Sequence, residues 1–232
     1  MKIEMYIQGE YLKKNPKWHV EDSPWKAEQI VKIIKRNNLH PNSICEIGCG
    51  AGEILSQLHA HLSDKILFHG YEISPQAFDL CQQRQKERLR YYLKDLLKDE
   101  KAFFDIILAI DVCEHIEDYF GFLRSFRQKG QYKIFHIPLD ISVQSVFRGY
   151  PILFHRYEVG HIHYFTKETA LATLTDTDYK IIDYFYTDKL IDLPAKSFKS
   201  LLMKQPLRIM NKLNKDLTVR ILGTSSLLVL AI

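Results

Sequence analysis

Ser43-Ile44-Cys45-Glu46-Ile47-Gly48-Cys49-Gly50-Ala51-Gly52-Glu53-Ile54-Leu55 is the stretch whose reading decides the fold. Ile44 and Ile47 are apolar and β-branched, as suits a short strand buried on both faces. Gly48, Gly50 and Gly52 then fall at alternate positions, where a chain without Cβ atoms can turn sharply and let a ligand approach the backbone. Ile54, Leu55 and Leu58 restart the apolar pattern at helical spacing. Strand, glycine turn and helix start form a binding corner of the nucleotide type at the carboxyl end of a strand.

The corner excludes two common ligands. A dinucleotide fingerprint needs a third glycine where Glu53 stands, and a carboxylate in the first helical turn repels a pyrophosphate. A P-loop needs Gly-Lys-Ser/Thr, which is absent. What stands here, E-x-G-x-G-x-G from Glu46 to Gly52, resembles the first motif of the class I S-adenosylmethionine-dependent methyltransferases. That cofactor carries a sulfonium and an ammonium group and no phosphate, so an acidic strand end at Glu46 beside bare backbone (Gly48, Cys49, Gly50, Gly52) suits it.

Working outward, residues 66–71 read as a second buried strand ending at Glu72-Ile73, with Ser74-Pro75 opening a helix. Glu72 lies about 20 residues past the glycines, where an acid grips ribose hydroxyls in nucleotide folds. The resemblance implies the same role here. Leu89–Leu93 reads as a third strand followed by Asp95-Leu96. The resemblance places an aspartate there against the adenine amino group, with an apolar neighbour beside the ring. Residues 103–110 form the most apolar strand and run into Asp111-Val112-Cys113-Glu114-His115-Ile116-Glu117-Asp118. This is similar to the D-x-x-E-H-I-x-D stretch of many small-molecule methyltransferases, including those of quinone biosynthesis, and puts Asp111 and Val112 beside the cofactor. His115, whose unperturbed pKa suits proton acceptance, is the candidate general base; shaping the loop through a backbone carbonyl is its alternative role.

A helix at 119–129 and a strand at 131–137 are expected next. Residues 139–163, rich in aromatics and histidine, interrupt the alternation and read as a flap over an acceptor site, with His155, His161 and His163 as substrate-side candidates. Gly160 to Thr166 resembles a G-H-x-x-x-F-[ST] stretch found after the fifth strand in these enzymes. Thr166 caps a helix, 179–186 is a sixth strand and 225–232 a last one. The 188–222 insertion interleaves apolar residues with Lys204, Arg208, Lys212, Lys215 and Arg220 and is broken by Pro206. It suits packing on the domain or a second subunit, or peripheral membrane contact by 196–220. The first 22 residues read as an irregular aromatic arm, and Ser23-Pro24-Trp25 as a helix start with Ser23 as cap. Trp18 and Trp25 are candidates to line a substrate mouth.

The expected fold is therefore α/β: a Rossmann-like seven-stranded sheet, mostly parallel with the last strand antiparallel, and helices on both faces. It forms one domain over 1–232, with an N-terminal arm and helix (1–42), the flap and the helical insertion. Apolar residues make up 46% and charged ones 26% of the 232, ordinary for a globular domain able to bury its own core. The four cysteines form no C-x-x-C pair, so a reduced intracellular protein is expected, and no signal peptide or spanning segment is read. A net charge of +4 with mixed signs gives no case for nucleic acid. No metal site is expected: H-E-x-x-H is absent, His161-x-His163 alone is weak, and Asp111, Glu114 and Asp118 make no recognisable set. The function expected is S-adenosylmethionine-dependent methyl transfer to O or N of a small-molecule acceptor (sugar, quinone or lipid-like, or hydroxylated metabolite), in the cytoplasm, with a homodimer compatible. The alternatives are a catalytically silent cofactor-binding subunit with a regulatory or assembly role, and a nucleotide-sugar or NAD enzyme.

Overall fold

Among the described residues the sheet has seven strands, in the order β3-β2-β1-β4-β5-β7-β6. They are β1 (Ser43–Ile47), β2 (Leu67–Glu72), β3 (Leu89–Leu93), β4 (Phe104–Ile110), β5 (Gly130–Pro138), β6 (Ile181–Thr187) and β7 (Ser226–Ala231). The computed structural model describes residues 3–18, 20–193, 198–223 and 225–232; residues 194–197, in the expected basic insertion, lie outside these. Strands β1 to β5 are mutually parallel, whereas β7 runs antiparallel to both β5 and β6. The chain leaves β1 toward β3 and returns to β4 on the other side of β1. This reversal opens a crevice at the carboxyl ends of β1 and β4, where ligands bind in such sheets.

Alternation along the central strands builds two cores. Ile107 and Ala109 point to one face, with Phe122, Phe126, Phe135 and Leu174. Ile106, Leu108 and Ile110 point to the other, with Ile30, Ile33, Leu55 and Leu58. Burial on both faces explains why β4 reads as a continuous apolar run.

The helices are α1 (Ile3–Ile7), α2 (Glu10–Lys14), α3 (Ser23–Arg36), α4 (Glu53–His61), α5 (Pro75–Gln82), α6 (Tyr119–Arg127), α7 (Val143–Arg148), α8 (Tyr150–Phe154), α9 (Lys167–Asp176), α10 (Lys189–Asp192), α11 (Phe198–Leu213) and α12 (Lys215–Leu222). Ser74, Asp118 and Thr166 cap α5, α6 and α9 by accepting from Ala77, Gly121 and Thr169 backbone N–H groups. These donors have no intrahelical partner and need one.

Four expectations need correction. The arm is not irregular: it holds α1 and α2, tied down where Ser74 Oγ donates to the Tyr6 carbonyl (3.0 Å) and Gln76 Nε2 to that of Ile7 (3.0 Å). The cap of α3 is Asp22 rather than Ser23, with no side-chain cap bond. Pro206 does not break its helix, since α11 runs through it; buried Leu207 and Lys204, whose Nζ donates to the Leu193 carbonyl at 2.8 Å, supply tertiary anchoring beside the proline. The flap is not a loop: α7, α8 and one wide helical turn at His155–Val159 fill most of it. No helix among the described residues is long and apolar enough to cross a membrane. All four cysteines are free and buried.

Candidate active site

The glycine corner is built as its sequence demands. Gly50 and Gly52 adopt φ of +55° and +77°, and a Cβ at either would lie 2.6 Å from the rings of Trp18 and Tyr91 respectively. Side chains other than hydrogen are thus excluded by strain and by space. The turn is held by Glu72 at the end of β2. One of its oxygens accepts from Gly50 N–H and the other from Ile73 and Ser74 N–H, all at 2.8 Å. Burial raises the Glu72 pKa, and the three backbone donors oppose that rise. Glu46 is buried beneath the corner; burial holds its pKa well above the usual carboxylate range, against the pull of Lys26, and its Oε2 has no hydrogen-bond partner among the described residues.

Two chambers open from this corner. The first, about 510 Å3, is walled by Gly48, Glu72, Ile73, Asp95, Leu96, Asp111 and Val112 and covered by Tyr6, Tyr11 and Trp18 of the arm. Asp95 accepts from Leu97 N–H at 3.0 Å, which starts a tight turn and leaves buried Leu96 against the cavity. Ten of the eleven residues expected at a cofactor fall on this wall or on the second chamber beside it: Glu46, Gly48, Cys49, Gly50, Glu72, Ile73, Asp95, Leu96, Asp111 and Val112. The eleventh, Gly52, supplies the backbone turn rather than wall.

The second chamber, about 370 Å3, shares Tyr11, Trp18, Gly48, Asp111 and His115 with the first and adds Trp25, Lys26, Glu114, His136, His161 and Thr187. Asp111 adopts a left-handed φ of +54° at the end of β4. It is paired with Lys26 Nζ at 2.6 Å and accepts from His136 Nδ1 at 2.5 Å, while His136 Nε2 meets Thr187 Oγ1 at 2.9 Å. Burial alone would raise the Asp111 pKa, but His136 and Lys26 hold it far below the usual range.

His115 turns its Nδ1 to the Gly160 carbonyl at 3.0 Å. That bond fixes Nδ1 as the protonated nitrogen and leaves Nε2 with a bare lone pair. Burial, aided by His161, lowers the His115 pKa to about 4. The ring is neutral near pH 7 and a weak proton acceptor, which disfavours the expected base role. Glu114 is 0% exposed, and among the described residues neither of its carboxyl oxygens has a hydrogen-bond partner. Its Oε1 lies 3.8 Å from His115 Nε2 and 3.9 Å from His161 Nε2. His161 Nδ1 donates to Asp140 Oδ2 at 2.6 Å. Asp140 also faces His155 Nδ1 at 2.8 Å, and although burial raises its pKa, these two histidines bring it down to about 2.

Other expected residues are placed elsewhere. Trp18 and Trp25 do line the chambers, Trp25 donating its Nε1 to Asp192 at 3.1 Å. Of the flap, Val159 and His161 reach the second chamber, whereas Phe147 is 90% exposed and α7 with α8 lies outside it. His155 lines neither chamber. His163 turns to the Ile116 carbonyl at 2.9 Å and packs on Tyr119, also away from both. Sequence reasoning missed Tyr6, Tyr11, Lys26, His136 and Asp140. The first two sit in helices taken for irregular arm; Lys26 and His136 meet at Asp111, and Asp140 meets His161, only through tertiary contacts. It also set Glu114 aside for want of sequence-near ligands, although the fold brings His161 against it.

A model of the methyltransferase domain family matches residues 23–184, well over half of the chain. No curated protein matches. Among solved structures, the chain is similar to the plantazolicin methyltransferase BpumL in complex with S-adenosylhomocysteine (16% identity, 99% of this chain and 95% of that one, TM-score 0.63). It is similar as well to the magnesium protoporphyrin IX methyltransferase ChlM from Synechocystis PCC 6803 (15% identity, 90% and 82%, TM-score 0.60). A third is the N-methyltransferase NodS from Bradyrhizobium japonicum WM9 (16% identity, 92% and 90%, TM-score 0.56). These likenesses concern the fold. With the family match over residues 23–184, which carry β1 to β5 and part of β6, the chain belongs to the methyltransferase domain family and is an S-adenosylmethionine-dependent methyltransferase.

Proposed function

We propose that the chain methylates an oxygen or nitrogen atom of a small-molecule acceptor held in the second chamber. The observation that carries this reading is the junction of the two cavities. They share Gly48, Asp111 and His115 as a common wall, so a donor in one and an acceptor in the other meet there. A volume of about 370 Å3 fits a small molecule and not a folded macromolecule.

The residues present fit the donor. Gly50 and Gly52 hold the turn closely against the Trp18 and Tyr91 rings, and Gly48 gives both chambers a wall of bare backbone. Glu72 keeps a buried carboxylate for ribose hydroxyls, and Asp95 beside Leu96 suits an adenine amino group and ring. The partnerless Oε2 of Glu46 suits a cationic amino group. Bound there, the donor supplies a methyl group on a positively charged sulfur. The protein's contribution is then alignment and exclusion of water. Tyr6, Tyr11 and Trp18 cover the first chamber, and their mutual ring contacts at 4.9 and 4.8 Å make the cover continuous. Lys26 and His136 hold Asp111 in its strained conformation at the junction. His115 stands at this junction with its Nδ1 held by the Gly160 carbonyl and its Nε2 turned toward Glu114.

The test is to incubate the protein with S-adenosylmethionine and separate panels of sugars, quinols, hydroxylated acids and amines, and to follow S-adenosylhomocysteine release and methylated product by mass spectrometry. Product from at least one panel is expected. Tight S-adenosylhomocysteine binding without product from any panel would favour the silent-subunit alternative.

A further inference from the structure

Glu114, His115 and His161 present one ligand atom each within 4.8 Å of one another. They come from two segments: the turn after β4, and the extended stretch that follows α8. Backbone bonds stitch these together, Ile162 and His163 N–H donating to the Glu114 carbonyl at 2.8 and 3.2 Å. The His163 ring adds its bond to the Ile116 carbonyl.

Each histidine is fixed through its far nitrogen. His115 Nδ1–H donates to a backbone carbonyl and His161 Nδ1–H to the Asp140 carboxylate, so both turn bare Nε2 atoms toward Glu114 Oε1. A hydrogen-bond acceptor on the other ring nitrogen is how metal-bound histidines are oriented. The two rings meet at 76° with centroids 5.0 Å apart, as for rings radiating from a common point. Most telling is Glu114, wholly buried with two unsatisfied oxygens. An ionised carboxylate in that state is costly, so the group either takes up a proton or is joined by a cation. The spacings of 3.8 and 3.9 Å exceed by a few tenths of an ångström the roughly 3.4 Å between ligands around an ion bound at about 2.1 Å.

We propose that Glu114 with the Nε2 atoms of His115 and His161 binds a divalent first-row transition metal at the wall of the acceptor chamber. Two imidazoles and one carboxylate select such an ion over magnesium or calcium, which prefer oxygen. All three residues line the chamber, so the open coordination positions face it, and the acceptor class they suit bears a hydroxyl or carboxylate oxygen. This last statement rests on the methyl-transfer reading; the binding of the ion does not. It gives His115 the role of ligand in place of base.

The protein is stripped with chelator, dialysed and titrated calorimetrically with Zn2+, Mn2+ and Mg2+. One equivalent of Zn2+ is expected, with Mg2+ at least about 100-fold weaker. Glu114→Gln and His161→Ala should each weaken Zn2+ binding by about 100-fold or more, and Asp140→Asn by about 10- to 100-fold. Saturating Zn2+ should raise the melting temperature of the wild type and leave that of Glu114→Gln unmoved, while metal-free Glu114→Gln melts no lower than the metal-free wild type. S-adenosylhomocysteine is titrated into the same proteins, because neither Glu114 nor His161 lines the first chamber. Its failure to bind would count against the cofactor reading and leave the metal result standing. No Zn2+ uptake by the wild type, stoichiometric uptake surviving in both variants, or tighter binding of Mg2+ than of Zn2+ would overturn the proposal.

Discussion

Glu72→Gln tests the cofactor assignment most directly. The carboxylate is saturated on the protein side by three backbone N–H donors at 2.8 Å, from Gly50, Ile73 and Ser74. The glutamine can keep Ile73 and Ser74 on its oxygen, but then turns an NH2 group against Gly50 N–H. One lost bond with a donor left facing a donor costs about 1–3 kcal/mol of stability. The ligand side is a separate quantity. A charge-assisted bond from a ribose hydroxyl is worth about 1.5–3 kcal/mol, and each 1.4 kcal/mol is about tenfold in affinity. S-adenosylhomocysteine should therefore bind the variant about 10- to 100-fold more weakly, read by calorimetry on protein shown to be folded by its melting curve. The pH response checks the same point. Burial raises the Glu72 pKa, so its carboxylate takes up a proton at a higher pH than an ordinary glutamate. Wild-type affinity should fall as pH drops into that raised range, and the variant should lack this dependence. A destabilised variant with unchanged affinity and the same pH profile would refute the ribose role and leave Glu72 as a tie for the glycine turn alone.

Gly50→Ala places a methyl group 2.6 Å from the Trp18 ring at a left-handed φ; the strain is about 1–2 kcal/mol, and displacement of Trp18 should weaken S-adenosylhomocysteine binding by about tenfold or more. Adding Trp18→Ala should restore part of that affinity, and strictly additive losses in the calorimeter would contradict the contact. Lys26→Met leaves half-buried Asp111 with His136 as its remaining side-chain partner and should cost about 1–3 kcal/mol in urea unfolding, with Lys26→Met/Asp111→Asn recovering more than half of it; no recovery would mean that the pair is not coupled. Asp216 bonds Lys167 and Tyr186, the lysine contact foremost in lowering its pKa to about 2. A lowered pKa stabilises the fold above the ordinary carboxylate range, and the contribution disappears as pH falls from about 4 to 2. Asp216→Asn should then be less stable than wild type at pH 7 by under about 1 kcal/mol, given the group's exposure, with the two melting curves converging near pH 2; a gap that persists at pH 2 would refute the ionic origin.

Short-range patterns carried much of the fold. The β1 corner, the buried run of β4 and the caps of α5 and α9 are each written within a dozen residues, because strand burial, glycine φ and end capping are local requirements. Pro206 and the arm went the other way. A lone proline reads as a break, but buried Leu207 and the Lys204 anchor act from outside the helix's own sequence. In the arm, α1 and α2 are five residues each, too short for apolar spacing to announce them, and α1 is held by Ser74 and Gln76 from another part of the chain.

At the site the division is sharper. By itself the sequence determined the glycine corner, the acids at Glu46, Glu72 and Asp95, and the junction stretch from Asp111, since each stands at the end of a strand whose apolar pattern locates it. Only the tertiary structure decided what surrounds them. Lys26 and His136 reach Asp111 from α3 and β5, the arm covers the first chamber, and His161 comes back against Glu114. These contacts join residues far apart in the chain, so no spacing encodes them. They exist because the parallel sheet gathers the carboxyl ends of its strands on one edge, and the segments that cross that edge must pack against what it exposes.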